Sequence, residues 1–220
     1  SISVQNQDGT VTYDCLDRPH TFRVRQVEEG EQYGLMSLGG RWDWDGEVVG
    51  RVTTRESERI SEGSQALGPG AEQRWGTQEI TVADVAFLDA AGVERRVFET
   101  GERWIARLHY RAQRRIEKPV FGLAIHRDDG LHICGPNTQF GGLEIPFVEG
   151  EGEVCYRVER LPLMEGTYCL SVSAHNQPDT MMYDYHDRLH TFKVCQFCER
   201  ERDGVVDMGG EWTRHEREAG

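Results

Sequence analysis

Residues 103–112, RWIARLHYRA, place apolar and polar side chains on opposite faces with a period of two. One face would carry Trp104, Ala106, Leu108 and Tyr110, and the other Arg103, Arg107, His109 and Arg111. Such alternation is typical of a β-strand that covers a core with one face and meets water with the other. We therefore predict a half-buried strand here, with Trp104 packed in the core.

Segments with the character of strands recur along the chain, at residues 80–88, 120–127, 131–134, 154–158, 168–172 and 192–194. Turn signals separate them, such as Asp128-Asp129-Gly130, which is typical of a tight hairpin. No segment has the convincing periodicity of an amphipathic helix. Short strands with turns every 8 to 12 residues or so predict an all-β fold, an antiparallel β-sandwich of Ig-like or jelly-roll type.

The chain also contains an internal repeat, because residues 1–44 align without a gap with residues 171–214. Twenty of the 44 aligned pairs are identical, including the Gly-Gly pairs at 39–40 and 209–210. A period of 170 residues is the size of a domain, not of a short solenoid repeat. The N-terminal copy is therefore predicted to be the last part of an upstream domain.

This alignment predicts four parts of the chain. Residues 1–44 are the C-terminal strand and extension of a truncated upstream repeat, and residues 45–74 are a linker. Residues 75–197 are the complete β-sandwich, and residues 198–220 are a C-terminal extension. The linker is rich in charge, Gly and Ser, which disfavours a packed conformation. The alternative is one short strand at 48–54.

Net charge, apolar content and cysteine usage limit the partners and the cellular compartment that the protein can have. The net charge of −13 repels the phosphates of nucleic acid and of anionic membranes. No apolar run reaches the roughly 20 residues of a membrane-spanning helix, so no direct membrane insertion is expected. Cys195 and Cys198 have the spacing of metal ligands, but Arg25 and Glu28 take their places in the repeat. We therefore expect no metal, reduced thiols and a cytoplasmic location.

A series of short motifs runs in order through the complete domain. It comprises FETGERWI at 98–105, PVFG at 119–122, DG at 129–130, GPNT at 135–138, LPL at 161–163, GTYCLSV at 166–172, YD at 183–184 and FKV at 192–194. This series resembles the C-terminal carbohydrate-binding domain of Wzt-type proteins, which are the nucleotide-binding subunits of O-antigen polysaccharide ABC exporters. The resemblance covers residues 75–194, and residues 1–26 match the last part of the same pattern.

The resemblance implies a β-sandwich that binds the finished polysaccharide glycan, often modified at its terminus, on the cytoplasmic side of the inner membrane. It also implies partners, the ATPase and membrane subunits of an ABC transporter, and commonly a homodimer. It implies no cofactor. The sequence contains no G-x-x-x-x-G-K-[ST] phosphate loop, so we expect no ATPase within these residues.

A sugar site needs exposed aromatic faces together with amides, carboxylates or imidazoles that bond hydroxyl groups. The segment 183–187, YDYHD, supplies this mixture. Tyr185 and His186 differ from the aligned Cys15 and Leu16, as positions specific for one ligand would. We therefore predict Tyr185 and His186 as carbohydrate-binding residues.

The other candidates are less specific to a ligand. Tyr183 and Asp187 have identical partners in the repeat, so they serve either the sugar or the fold's own turn and ion pairs. The remaining candidates lie on polar strand faces or in loops: His126, Asn137, His175 and Asn176.

Two other functions stay open. The pairs Asp128-Asp129 and Asp184 with Asp187 could act in glycoside hydrolysis, but no nucleophile elbow or metal triad accompanies them, so no enzyme is expected. Alternatively, the domain is a dimerisation or tethering module without direct glycan contact. Residues 1–26 would then add an edge strand to a sandwich, or residues 209–212 would be exchanged between sandwiches.

Overall fold

The computed structural model of the chain describes residues 2–5, 12–16, 36–45, 73–196 and 204–214. These residues form twelve strands and no helix. The strands are β1 Ile2–Gln5, β2 Thr12–Leu16, β3 Arg41–Asp45, β4 Arg74–Trp75, β5 Ile80–Leu88, β6 Val97–Glu99, β7 Trp104–Glu117, β8 Pro119–Arg127, β9 His132–Cys134, β10 Phe147–Val158, β11 Gly166–Asn176 and β12 Met182–Cys195. Most of the predicted linker, including the alternative strand at 48–54, and also Cys198 lie outside the described residues.

Two sheets pack face to face to form the sandwich. One has four strands in the order β3-β10-β7-β5, and the other has six, in the order β4-β12-β11-β8-β9 with β6 also pairing to β12. Every ladder is antiparallel except that between β6 and β12. The strands β1 and β2 form a separate two-stranded sheet. The predicted all-β antiparallel sandwich is therefore confirmed.

Aromatic rings from both sheets form the centre of the core. The Trp104 side chain is fully buried, and its ring centroid lies 5.6 Å from that of Phe87 and 5.2 Å from that of Phe192. Tyr168 stacks on Phe192 at 5.5 Å and donates its hydroxyl to the Met164 carbonyl at 2.8 Å. Burial raises the pKa of Tyr168 to about 12. The prediction that Trp104 packs in the core is confirmed.

The predicted hairpin turn at residues 128–130 joins β8 to β9. The Gly130 N–H donates to the Arg127 carbonyl at 2.9 Å, and the φ of Gly130 is 88°. That φ lies in the left-handed region, which glycine adopts without steric cost. The turn brings β9 back along β8 and sets the position of the loop that follows.

A strand from the N-terminal repeat copy covers the outer edge of the four-stranded sheet. β3 pairs with β10 so that Trp42 lies opposite Tyr156, with ring centroids 4.9 Å apart. The Gly40 N–H donates to the Tyr156 hydroxyl, and the Trp44 indole N–H donates to the Tyr110 hydroxyl, both at 3.1 Å. Part of the segment predicted as an upstream extension thus completes the sheet of the main sandwich.

Candidate functional site

An open trough lies on the outer face of the six-stranded sheet, where β8, β11 and β12 run side by side. Its volume is about 430 Å³, within the usual range of ligand pockets. The polar and aromatic side chains that line it include His132, Asn137, Gln139, Phe140, Ser171, Ser173, His175, Gln177, Asp179 and Tyr185. All of these residues belong to β9, β11, β12 and the two loops that border them.

Small residues form the floor of this trough. Alternation along β11 sends Leu170, Val172 and Ala174 into the core, so Ser171, Ser173 and His175 face the other way. Gly122 of β8 pairs with Ser173, and a Cβ on Gly122 would lie only 2.7 Å from the Ser173 hydroxyl. The glycine therefore keeps the floor open beside a hydroxyl group.

Two aromatic side chains lie where β4 meets β12. Tyr185 pairs with Trp75 across the two strands, and their ring centroids are 5.2 Å apart with an interplanar angle of 32°. Tyr185 lines the trough, and Trp75 is 50% exposed. The pair offers aromatic surface of the kind that packs against the C–H groups of a ligand. Sequence reasoning selected Tyr185 but missed Trp75, which borders the predicted linker and has no strand pattern around it.

The loop at 135–143 forms one wall and is held by hydrogen bonds within the loop and to β8. The Asn137 Oδ1 accepts the Phe140 N–H at 2.8 Å, and the Thr138 hydroxyl accepts the Phe121 N–H at 3.1 Å. Gly141 in this loop packs on Trp42 of β3, since a Cβ there would lie 2.4 Å from the indole ring. The strand from the N-terminal copy thus supports the wall of the trough from behind.

A second depression of about 360 Å³ adjoins the first. Both are bordered by Gln139 and Gln177, so the two depressions meet at these amides. The second depression adds two charged side chains of opposite sign, Lys118 and Glu144. The combined groove has room for a ligand larger than one pocket would hold.

Two histidines, His132 and His175, line the trough, and a third, His126, packs against His132. His175 is buried, and its Nδ1 lies 2.8 Å from the Asn176 carbonyl and 3.4 Å from an Asp179 carboxylate oxygen. His132 lines the trough and stacks on His126 with a centroid distance of 4.6 Å. Burial, together with His132, lowers the pKa of His126, so His126 is neutral near pH 7.

Three of the predicted site residues come together in the trough: Tyr185, His175 and Asn137. Asp187 lies beside it, because its carboxylate accepts a hydrogen bond from the Ser171 hydroxyl at 3.3 Å. The trough is also lined by residues from the polar face of β11 and the loop after it, namely Ser171, Ser173 and Gln177. The polar face of β11 can be predicted from the sequence, because its residues alternate with the apolar residues that enter the core.

The other predicted site residues lie away from the lining. His126 stacks behind His132. The Asn176 side chain closes the turn between β11 and β12, because its Oδ1 accepts the Thr180 and Met181 N–H groups at 2.9 and 3.0 Å. Tyr183 belongs to the hydrophobic core, and His186 is buried against His190, with ring nitrogens 3.0 Å apart.

Asp184 is a fully buried carboxylate that links β4, β5 and β12. It accepts two hydrogen bonds from the Arg74 guanidinium, at 3.0 and 2.8 Å, and one each from the Gln78 amide and the Val82 N–H, at 3.1 and 2.7 Å. Burial alone would raise the pKa of Asp184, but these bonds and the adjacent His186 hold it well below its usual range. Asp184 is therefore a structural anion beneath the sheet.

His190 is partly buried, and its surroundings lead to a prediction for how the stability of the protein depends on pH. Burial, and the charges of His186, Arg96 and Arg74, lower the pKa of His190 from 6.5 to about 3. Between pH 3 and pH 6.5, His190 is therefore protonated in the unfolded chain but not in the folded protein. The free energy of unfolding should therefore fall as the pH drops from 6.5 towards 3, by up to about 1.4 kcal/mol per pH unit. Urea denaturation at several pH values measures this slope, and His190→Gln should reduce it. An unchanged slope in that variant would contradict the assignment.

The lining of the trough does not resemble a hydrolytic site. Asp179 is the one carboxylate among its lining residues, whereas glycoside hydrolysis uses a facing pair. Within the described ranges, no group of three or more His, Cys, Asp or Glu side chains could hold a metal ion. The arrangement is suited to holding polar groups by hydrogen bonds.

Comparisons with known proteins identify a family for this chain and support its fold. The family model described as the Wzt C-terminal domain matches residues 71–208, which include the whole trough but not β3. Among solved structures, the crystal structure of the C-terminal domain of Wzt superposes with a TM-score of 0.57 at 21% sequence identity, covering 64% of this chain and 87% of that one. No curated protein matches the chain. No helix in the described part is long and apolar enough to span a membrane.

Proposed function

Because the chain belongs to the Wzt C-terminal domain family, we propose that it is a non-catalytic carbohydrate-binding module that recognises a polysaccharide for ABC-transporter export. The family is associated with O-antigen exporters, so the ligand in this proposal is an O-antigen-like glycan. The partners are the ATPase and membrane subunits of the transporter. The module works on the cytoplasmic side, at the inner membrane, and as a homodimer.

The observation that supports the proposal most strongly is that the trough combines the aromatic ring of Tyr185 with side-chain hydroxyl and amide groups. Tyr185 lines the trough, Ser173 is its paired neighbour on β11, and Asn137 lines the trough from the 135–143 loop. A sugar ring has apolar C–H faces and a rim of hydroxyls, so it needs both kinds of surface at once. The trough supplies them side by side.

The shape of the groove supports a chain as the ligand. The two depressions meet at Gln139 and Gln177, whose amides can each donate and accept hydrogen bonds. Neutral hydrogen-bonding groups dominate the first depression, which suits a ligand rich in hydroxyls. In this proposal Tyr185 and His175 hold one sugar, and the glutamines contact the next.

Removal of the aromatic face tests the proposal. Tyr185→Ala should weaken binding of the polysaccharide from the source organism by about fivefold or more, because one stacking contact is worth about 1 kcal/mol and the ring also helps to exclude water. Isothermal titration calorimetry of the full chain measures the affinity. Trp212→Ala is the matched control, since it removes an aromatic ring that is fully exposed and outside the trough.

Three results are informative. Loss of affinity in Tyr185→Ala with an unchanged control supports the trough. Equal affinities in wild type and Tyr185→Ala contradict the proposed site. A folded wild-type chain that does not bind at millimolar glycan contradicts the function itself, and favours a dimerisation or tethering module, for which the strand added by β3 is the supporting observation.

A further inference from the structure

The two depressions of the groove differ in the chemistry of their lining. Hydroxyl, amide, imidazole and aromatic side chains line the first one. The second has an apolar surface, contributed by the start of β8 and by the segment between β9 and β10, namely Pro119, Val120, Leu143, Ile145 and Pro146. A sugar hydroxyl would lose its hydration against such a surface without gaining a hydrogen bond, so the surface suits an apolar substituent.

Main-chain hydrogen bonds fix the shape of the second depression. The Lys118 N–H donates to the Pro146 carbonyl, and the Leu143 N–H donates to the Thr138 carbonyl, both at 2.9 Å. Val120 is 3% exposed, so its place at the start of β8 is also fixed by packing. The depression is therefore preformed, and a ligand that fits it does not have to order the protein first.

Lys118 lines this depression in a backbone conformation that is unfavourable for a lysine. It is the single residue between β7 and β8, and its φ of 46° lies in the left-handed region. Glycine adopts this region without steric cost, whereas other residues occupy it rarely and more often at ligand sites. The chain thus has a long cationic side chain at a position where the backbone favours none.

Lys118 and Glu144 bring opposite charges to the same depression. Both are exposed, and neither forms an ion pair with another residue in the described part of the chain. The ammonium group can only donate hydrogen bonds, and the carboxylate can only accept them. A ligand group that satisfies both needs an acceptor and a donor but no net charge, because one of the two side chains would repel a net charge of either sign.

From these observations we propose that the second depression binds the acylamido group of an N-acylated amino sugar. The inference rests on the proposed function and names the class of glycan. The carbonyl oxygen of the group would accept a hydrogen bond from Lys118, its N–H would donate to Glu144, and its methyl group would cover the apolar surface beside Leu143. A hydroxyl group could also meet both charges, but it would leave the apolar surface in contact with water.

Chemical change of the glycan at the amide tests the inference. The polysaccharide of the source organism should contain an N-acylated amino sugar. Removal of its N-acyl groups should weaken binding to the full chain by about tenfold or more, because the apolar contact is lost and Lys118 then faces an ammonium group. Acetic anhydride in water re-acylates the amines and should restore the affinity in calorimetry. An affinity that is not restored would indicate an ester group and overturn the inference.

Lys118→Met tests the same contact from the side of the protein. It should weaken binding of the N-acylated polysaccharide by about tenfold, because a hydrogen bond from a charged donor is lost, and it should not weaken binding of the de-N-acylated form. Lys193→Met is the matched control, since Lys193 is the other lysine of the chain, is exposed and lines neither depression. Equal losses for both forms of the glycan in Lys118→Met would overturn the inference.

The outcomes separate this inference from the proposed function. A folded wild-type chain that binds the polysaccharide and its de-N-acylated form equally well overturns the inference alone. A bound polysaccharide without N-acylated amino sugars does the same. A folded wild-type chain that binds neither form at millimolar glycan overturns the proposed function, and the inference with it.

Discussion

Trp104→Ala is expected to lower the free energy of unfolding by about 3–5 kcal/mol, the largest stability effect of any substitution considered. The side chain is fully buried between the sheets and contacts the rings of Phe87 and Phe192. Alanine would remove these contacts and leave a cavity that two packed sheets cannot close. Urea denaturation followed by far-UV circular dichroism measures the change.

Trp212→Ala is the control for this experiment. It deletes the same side chain at a fully exposed position, so the free energy of unfolding should change by no more than about 0.5 kcal/mol. Similar losses in the two variants would show that Trp104 is not the centre of the core.

Asp184→Ala should lower the free energy of unfolding by about 3 kcal/mol, since it leaves a buried donor unsatisfied and removes the partner of a cation. The Val82 N–H would lose its acceptor, and Arg74 would lose both hydrogen bonds to the carboxylate. Arg74 keeps 40% of its side chain exposed, so water compensates part of its loss. The effect is therefore expected to be below that of Trp104→Ala.

Asp187→Ala is the matched control three residues along the same strand. Its carboxylate is 38% exposed and pairs with Arg188, and surface ion pairs contribute little. The loss should stay below about 1 kcal/mol. Equal losses of unfolding free energy in Asp184→Ala and Asp187→Ala would contradict the view that the buried carboxylate stabilises the fold more than the surface ion pair does. Thermal unfolding of both variants under one condition is sufficient to compare them.

The fold was predictable from the sequence wherever one face of a strand is apolar. β7 was recognised from Trp104 and its neighbours, but the structure extends it to Glu117, through the charged run at 113–117. β12 begins at Met182, ten residues before the predicted start, because its polar first half includes the buried Asp184 and a residue with positive φ, Arg188. Periodicity cannot reveal a strand whose buried side chains are charged and satisfied by partners elsewhere.

The candidate site was predictable in part, for related reasons. His175 was among the candidates on polar strand faces or in loops and does line the trough, and the divergence of the repeat identified Tyr185. That divergence could not separate Tyr185 from His186, because both differ from the aligned Cys15 and Leu16; the structure places Tyr185 in the trough and buries His186. Trp75 lies in the two-residue strand β4, which is too short to show an alternating pattern in the sequence.

The most direct test of glycan recognition is an NMR titration of the isotope-labelled full chain with the polysaccharide, read as amide chemical-shift changes. Binding in the trough predicts changes concentrated around Gly122, Asn137, Ser173 and Tyr185, with the outer face of the four-stranded sheet, around His109 and Glu151, unaffected. Changes confined to that opposite face, or none at millimolar glycan, would contradict the account.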